Sequence, residues 1–531
     1  MRPRIGCQTL SSLKESGMLF YPLKPVQFEV SPNTSPIEFD TYVAVVDENQ
    51  ISDKSLKCIK LDNFDSEISR MVGSGDFEGK WLQVAIGFSH VKNARIILVG
   101  FGKKTNEIPA KARHIGLKIA EEISKLKTRT LKVVATSPLL QSVDSRAQIA
   151  QGFSLGTYKF PKFNLTPQAQ AELETPIHFH LGLLDDMVNE SDLRAAVART
   201  SILTGAQNFM RLLQDTPPNV CSPTFVAQKG KESLAALGVK SEIFGAHKLK
   251  ELHFNAMLAV GGGSAQEPQL LVMDYHPEGA TQTVALVGKG LTMDTGGYSL
   301  KVPSTSQVGM KYDMSGAALV IATMQVVAQL KLPIRVVAAA ALCENMVDAH
   351  AYRVGDVITG YSGKSIEILN TDAEGRVVLS DALAYMNDIY KPNAIFEFST
   401  LTGAMIISLG HFAAGTFFAN TQSLQPLVKE AASQTGERVW ELPIFEEMDE
   451  EIKSSIADII NISNTPGCAG SIAAAAFLRE FVKDTPFCHF DIAGVANGAM
   501  ATGYPKKHSS GYGIALVVKM LELFKNFVHS R

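Results

Sequence analysis

The sequence predicts an α/β chain of two domains, each a mostly parallel sheet flanked by helices, with the larger domain C-terminal. Three observations carry this. A β-branched run from Ala94 to Gly100 ends in glycine and leads into Glu107 to Lys127, where Ile115, Ile119, Ile123 and Leu126 recur at helical spacing. Four apolar runs, Thr283 to Val287, Ile334 to Ala340, Ala394 to Phe398 and Cys488 to Ile492, alternate with helical segments, the pattern of strands buried on both faces. Between the two regions an alanine-rich helical pattern beginning near Asp192 must stop at Asp215-Thr-Pro-Pro-Asn219, because proline lacks an amide donor and disfavours helix before it.

These signals place an N-terminal extension at 1–24, a first domain at 25–185, a connecting helix at 186–214 and the second domain at 215–531. Leu131 to Ala135 opens a second strand-helix unit of the first domain, and Tyr158 to Pro176, with its prolines and charges, reads as a surface connection. There is no internal repeat, heptad seam or low-complexity tract. In sheets of this kind ligands sit beyond the carboxyl ends of the strands, which is where chemistry is to be sought.

Composition narrows the classes. With 531 residues, 46% hydrophobic and 19% charged, the chain can bury large cores and is not of the disordered type. Fifty Lys+Arg against 53 Asp+Glu give a net charge of −3, so no global attraction to nucleic acid or anionic membrane is expected. The longest apolar stretches, such as Val336 to Cys343 and Ser471 to Leu478, fall short of the ~18 residues of a membrane span. The cysteines (Cys7, Cys58, Cys221, Cys343, Cys468, Cys488) form no C-x-x-C pair, which argues against a zinc ribbon or disulfide framework and fits a reducing compartment. Met1 to Lys14 carries Arg2, Arg4 and Lys14 with no acid before Glu15, a weak presequence signal that a plain extended N-terminus matches as well.

Several familiar motifs fail. Val287-Gly-Lys-Gly290 lacks the spacing and the Ser or Thr of a phosphate loop, and Val260-Gly-Gly-Gly-Ser264 has Gln266 where a dinucleotide fingerprint needs its third glycine. H-E-x-x-H does not occur. His178 and His180 form a His-x-His pair without a third ligand nearby and read as structural histidines.

Two charged clusters remain. Asn370-Thr-Asp-Ala-Glu-Gly-Arg376 follows the extended-looking Ser365 to Leu369 and precedes a helical run from Val377. In an extended segment Asp372, Glu374 and Arg376 share one face, two carboxylates and a guanidinium suited to metal binding and anion capture. Alone, such a triplet reads as a solvated turn. A second cluster changes that: the strand from Thr283 runs into Lys289, Asp294, Gly296-Gly297, Ser299, Lys301 and Lys311-Tyr-Asp313, charges set beside glycines at the end of a buried strand.

With these residues in place the chain resembles the leucine aminopeptidase (cytosol aminopeptidase) family, especially its bacterial aminopeptidase A branch. Matching stretches are Asp215 to Asn219, Gly288-Lys-Gly-Leu-Thr-Met-Asp-Thr-Gly-Gly297, Met310-Lys-Tyr-Asp-Met314, Glu344-Asn-Met346, Asn370 to Arg376, Thr400-Leu-Thr-Gly-Ala404, Gly436 to Pro443 and His489-Phe-Asp-Ile-Ala-Gly494, covering essentially the whole second domain. The first domain is similar only in its strand-helix pattern.

The resemblance implies a metal-dependent aminopeptidase with two divalent ions per subunit, zinc or manganese foremost, magnesium or cobalt also compatible. It implies that Asp294 and Glu374 bridge the ions, that Lys289 and Asp313 complete one shell and Asp372 the other, that Lys301 faces the substrate carbonyl, and that Arg376 holds a bicarbonate. Met310, Thr400 and Gly403 would line the pocket for the substrate's first side chain. Charge is consistent with this: Asp294, Asp313, Asp372 and Glu374 cancel two dications, and Lys289 can ligate only as the neutral amine that a neighbouring dication permits. The implied substrates are peptides, with leucine and similar N-terminal residues preferred. The implied assembly is a homohexamer; the charge balance makes a nucleic-acid partner unexpected and the short apolar stretches a membrane one, and the expected location is the cytoplasm or alternatively the mitochondrial matrix.

Some positions depart from the family pattern. The loop Val302 to Lys311 is one residue longer, Met293 replaces an aromatic, Val347 a proline, and His508-Ser-Ser-Gly511 a Gly-Ala-Thr-Gly; the chain also begins about 25 residues before Val26, where the bacterial relatives begin. Two other readings stand beside the enzyme: a catalytically silent structural member, and a DNA-binding accessory protein using Lys103, Lys104, Lys111, Arg113, Lys118, Lys125 and Lys127.

Overall fold

The computed structural model describes residues 26–31, 38–52, 64–89, 93–160, 175–182, 188–421, 423–465, 467–498, 500 and 503–524. The extension at 1–24, most of the Tyr158 to Pro176 connection, Cys7 and Cys58 lie outside the described residues. Two compact units, Met1–Thr204 and Gly205–Arg531, divide within the long helix Glu190–Asp215.

Among the described residues, the first unit has six strands: β1 (Val26–Ser31), β2 (Thr41–Asp47), β3 (Val84–Ser89), β4 (Ala94–Gly102), β5 (Thr130–Ala135) and β6 (Ile177–Gly182). Their order is β1-β6-β5-β2-β4-β3, and every pairing is parallel except that of the edge strand β3. The helix Ile108–Ser124 follows β4 as its isoleucine spacing predicts, and buries Ile115, Ile119 and Ile123 in one core together with Val43, Val45, Ile97 and Val99 of the sheet. His180 on β6 is buried, its Nδ1 2.8 Å from Ser31 Oγ and its ring edge-on to Phe39, an ordinary structural placement.

The second unit carries β7 (Lys240–Phe244), β8 (Gln269–Tyr275), β9 (Thr283–Asp294), β10 (Arg335–Asn345), β11 (Val357–Thr359), β12 (Ser365–Glu367), β13 (Ala394–Ser399), β14 (Ala414–Ala419), β15 (Val439–Glu441), β16 (Ile459–Ile460) and β17 (Phe487–Asp491). Eight form a sheet ordered β15-β14-β17-β13-β9-β10-β8-β7, and β11, β12 and β16 form a small second sheet. The four central strands β17, β13, β9 and β10 are mutually parallel, the four apolar runs of the sequence. β9 continues well past Val287, to Asp294, because its parallel neighbour β10 supplies a ladder for a segment whose glycines and charges do not look strand-like, beyond where the pairing with β13 ends at Gly288. The core packs the helix Glu374–Tyr390, through Val377, Val378 and Leu379, onto Ala285, Val287 and Leu291 of β9.

Glycine sets how closely the helix Ser315–Gln329 approaches the sheet. A Cβ on Gly316 would lie 2.0 Å from Phe398 O, and one on Gly288 2.4 Å from Gly316 O. Backbone thus meets backbone just after Asp313, which fixes that residue's distance from β9. No described helix is long and apolar enough to cross a membrane.

Candidate active site

The site forms where β9 leaves the sheet. Lys289 and Asp294 are an odd number of residues apart and would face opposite sides of a regular strand. The β9–β10 ladder, however, pairs Leu291 with Cys343 and then Met293 with Glu344, so Thr292 is an extra residue on β9. This bulge shifts the alternation by one and brings both side chains to the same face.

After Asp294 the chain turns through Gly296 and Gly297, both at positive φ. A Cβ on Gly296 would stand 2.8 Å from Asp372 Oδ1, so glycine here lets the two loops close on each other. Thr371 joins them: its hydroxyl donates to Gly296 O at 2.7 Å and accepts from Ser299 N at 2.7 Å. Its carbonyl accepts from Asn345 Nδ2 at 2.9 Å and from the Tyr352 hydroxyl at 2.8 Å.

Here the structure corrects the sequence reading. Asp372, Glu374 and Arg376 do not alternate along an extended segment; strand β12 ends at Glu367, and Glu374 and Arg376 occupy the first turn of the helix Glu374–Tyr390. Convergence comes instead from the turn at Asp372, where Asn370 Oδ1 accepts the Asp372 amide at 2.8 Å, and from the helix start. Glu374 also gains from the positive end of that helix.

Six charged groups meet there. Lys289 Nζ lies 2.9 Å from Asp313 Oδ2 and 2.8 Å from Glu374 Oε1, and donates to Thr400 O at 3.2 Å. Lys301 Nζ lies 2.7 Å from Asp294 Oδ2 and 2.5 Å from Asp372 Oδ1. Ligand oxygens of Asp294, Asp372 and Glu374 all fall within 4.8 Å of one another. Lys289, Asp294 and Glu374 are no more than 2% exposed, and Asp313 is buried as well. A Cβ on Gly375 would come within 2.6 Å of Lys289 Nζ, so the helix leaves room for this lysine only because glycine follows Glu374.

Of the predicted pocket residues, Thr400 belongs to the centre itself, its hydroxyl donating to Asp313 Oδ1 at 2.7 Å. Met310 is half-buried on the 3-10 segment Ser304–Tyr312, and Gly403 is exposed at the start of the helix Gly403–Leu409; neither joins the charged cluster. Arg376 is buried two residues beyond Glu374, with Nε lacking a hydrogen-bond partner. Sequence reasoning quoted Asn345 and Thr371 without giving them a role. Asn345 donates to Asp294 Oδ1 at 2.8 Å, a contact set by its cross-strand pairing with Asp294, for which the sequence alone carries no signal.

The residues fit divalent cations. Asp313 Oδ2, Asp372 Oδ1 and Glu374 Oε1 are buried and face ammonium nitrogens without a hydrogen bond of good geometry, so oxygen lone pairs remain for a metal. Burial, reinforced by the Asp294 charge, pushes the Glu374 carboxyl up to about 8, and burial pushes Asp313 up to about 6 against the pull of Lys289. Burial lowers the Lys289 ammonium, but Asp313, Glu374 and Asp294 outweigh it and hold the pKa above the usual lysine value.

A carboxyl raised above its ordinary value binds more protons folded than unfolded. Its contribution to stability is present below the unfolded pKa near 4.5 and is lost as pH rises toward 8. Metal-depleted protein should therefore melt at lower temperature as pH increases from about 5 to about 8, while metal binding, which displaces those protons, tightens. Thermal melts with and without manganese across that range check both signs; the gap between the curves should widen with pH.

Parallel central strands that bring four carboxylates and two ammonium groups into one largely buried cluster at their carboxyl ends define the class, an α/β protein with an acidic cluster that fits divalent cations. A family model described as the catalytic domain of the cytosol aminopeptidase family matches residues 208–518, and that family's N-terminal domain matches 43–167. The chain belongs to the cytosol aminopeptidase family, and is thus a peptide hydrolase of the aminopeptidase class.

It is 35% identical over 487 residues to the cytosol aminopeptidase of Rickettsia prowazekii, covering 90% of this chain and 96% of that one. To the probable cytosol aminopeptidase of Rickettsia canadensis it is 37% identical over 454 residues, 84% and 89% of the two chains. Among solved structures, a mutant of tomato leucine aminopeptidase superposes with a TM-score of 0.84 at 28% identity, covering 94% of this chain and 97% of that one. The bottromycin maturation enzyme BotP in complex with Mn gives 0.77 at 28% identity, with 91% and 99% coverage.

Proposed function

We propose that the chain removes the N-terminal residue from peptides, leucine and similar residues preferred, with two divalent ions held by Lys289, Asp294, Asp313, Asp372 and Glu374. The observation that carries this is the convergence of ligand oxygens of buried Asp294 and Glu374 and half-buried Asp372 within 4.8 Å, beside a buried lysine that only a metal would turn into a neutral ligand. Zinc or manganese is the first choice of metal, with magnesium and cobalt compatible with the oxygen-rich donor set; the manganese complex of the structural neighbour BotP supports the class of ion.

Divalent ions in such a centre supply Lewis acidity, making water nucleophilic near neutral pH and attracting a free amine. The chain's own residues do the rest. Lys301, still cationic because Asp294 and Asp372 hold its proton, donates to the substrate carbonyl oxygen as negative charge develops there. Arg376 binds bicarbonate through its unpartnered Nε, placing a proton carrier beside the leaving amine. Met310, Thr400 and Gly403 border the first side chain of the substrate.

This reading includes the domain limits given above, a homohexamer, and a cytoplasmic location with the mitochondrial matrix as the alternative. Nucleic acid is not a partner on this reading. Lys118 and Lys125 are ion-paired to Glu121 and Glu122, Lys103 to Glu48, and Lys111 lies over the Trp81 ring, so no continuous basic surface is presented by them.

Metal-depleted protein should be inactive on leucine amide and recover hydrolysis on titration with manganese or zinc, saturating near two ions per chain. Two bound ions without hydrolysis would instead assign a structural role.

A further inference from the structure

A row of buried polar groups crosses the second sheet beneath the site without a part in the chemistry above. Glu397 of β13 is paired across the strands with His489 of β17, and Ser399 with Asp491. Glu397 also pairs with Val287 of β9, so Ser399, two residues further on, stands level with Lys289 on the same face. Glu397, His489, Ser399 and Asp491 are all fully buried.

Asp491 ends β17 and its carboxylate serves the loop that leaves β13. Oδ2 accepts from the Thr402 hydroxyl at 2.6 Å; Oδ1 accepts from Leu401 N at 3.3 Å and from Ala493 N at 3.1 Å. Thr402 Oγ1 in turn lies 2.6 Å from Ser471 Oγ and caps the helix Gly403–Leu409 by accepting from Met405 N at 3.2 Å. Two residues back along the loop, Thr400 gives its carbonyl to Lys289 Nζ and its hydroxyl to Asp313 Oδ1. Asp491 is thus joined to two members of the charged cluster by hydrogen bonds at either end of the short backbone stretch Thr400–Thr402, all between buried or half-buried groups.

We infer that Asp491 is a positioning residue whose carboxylate fixes the Thr400–Gly403 loop, and through Thr400 sets the orientation of Lys289 and Asp313 for metal binding and hydrolysis. The inference rests on the metal-centre reading. Burying a carboxylate is costly, and packing alone would be served by an apolar side chain. What Asp491 does that such a side chain cannot is accept two hydrogen bonds from that loop, from Leu401 N and the Thr402 hydroxyl, and a third from Ala493 N.

The test uses full-length, metal-reconstituted protein and compares wild type with Asp491→Asn, Thr402→Val and Thr402→Ser. The measurements are kcat and KM on leucine amide, manganese affinity by calorimetry, and Tm. Thr402→Val is nearly isosteric and removes only the hydroxyl. It should lower kcat by roughly 10- to 100-fold with KM little changed, as expected for a small misplacement of reacting groups, and weaken one of the two manganese sites by about tenfold. Thr402→Ser should restore both, and Asp491→Asn should fall between. If Thr402→Val and Asp491→Asn fold and match wild type in kcat and manganese affinity, or lose only Tm, the inference is overturned. Wild type that binds two manganese ions without hydrolysing would overturn the functional reading, while the affinities of the variants still decide the role of Asp491. Wild type that binds no manganese would overturn both.

Discussion

The Asp372→Ala/Glu374→Ala variant should hydrolyse no leucine amide at any manganese or zinc concentration that saturates wild type, a loss of at least roughly 10³-fold. Both residues contribute oxygens to the 4.8 Å cluster, and their removal halves the four negative charges available to balance two dications. Calorimetry should show metal binding lost together with activity. Misfolding is a separate outcome, visible by circular dichroism and melting. Folded variant protein that retained metal-dependent turnover would exclude this cluster as the centre.

Lys301→Ala should lower kcat on leucine amide by roughly 10²- to 10³-fold, about 3–4 kcal/mol of transition-state stabilisation, with much smaller change in metal affinity. Lys301 is the more exposed of the two lysines, with 17% of its side chain accessible against 3% for Lys289, and the carboxylates around it hold its pKa above the usual lysine value despite burial. It is therefore a cation that a substrate can reach. Lys289→Ala, by contrast, should act chiefly through metal binding, since Lys289 is enclosed between Asp313, Glu374 and Thr400. Comparing kcat with manganese affinity for the two variants separates an oxyanion donor from a ligand. Equal losses of affinity in both would remove the distinction.

The buried carboxylates also bear on stability. Burial, with the Asp294 charge beside it, raises the carboxyls of Asp313, Asp372 and Glu374 against the pull of Lys289 and Lys301, an arrangement that a fold selected for stability alone would avoid. Metal binding relieves the repulsion, which is why the loaded protein should gain most at the higher pH values.

The sequence by itself determined the elements and the cast of residues. Apolar runs bounded by glycine or charge mark β9, β10, β13 and β17 because strands covered on both faces tolerate little else. Charged side chains at Lys289, Asp294, Asp313, Asp372 and Glu374 stand out because their cost in such surroundings has no structural reason. What the sequence did not contain was the way these residues meet. The extra residue Thr292, which turns Lys289 and Asp294 to one face, is visible only in the pairing of β9 with β10. Glu374 and Arg376 sit in a helix that local alternation placed in extended chain, because the turn at Asn370 to Ala373 is decided by Asn461, which donates to Asn370 O at 2.6 Å from far along the chain. Asp491 and Thr402 looked like parts of matched motifs and nothing more. Local pattern encodes which side chains are buried and what they can bind; bulges, turns and hydrogen bonds between residues distant in sequence decide where they point, and those depend on the neighbouring strand as much as on the segment itself.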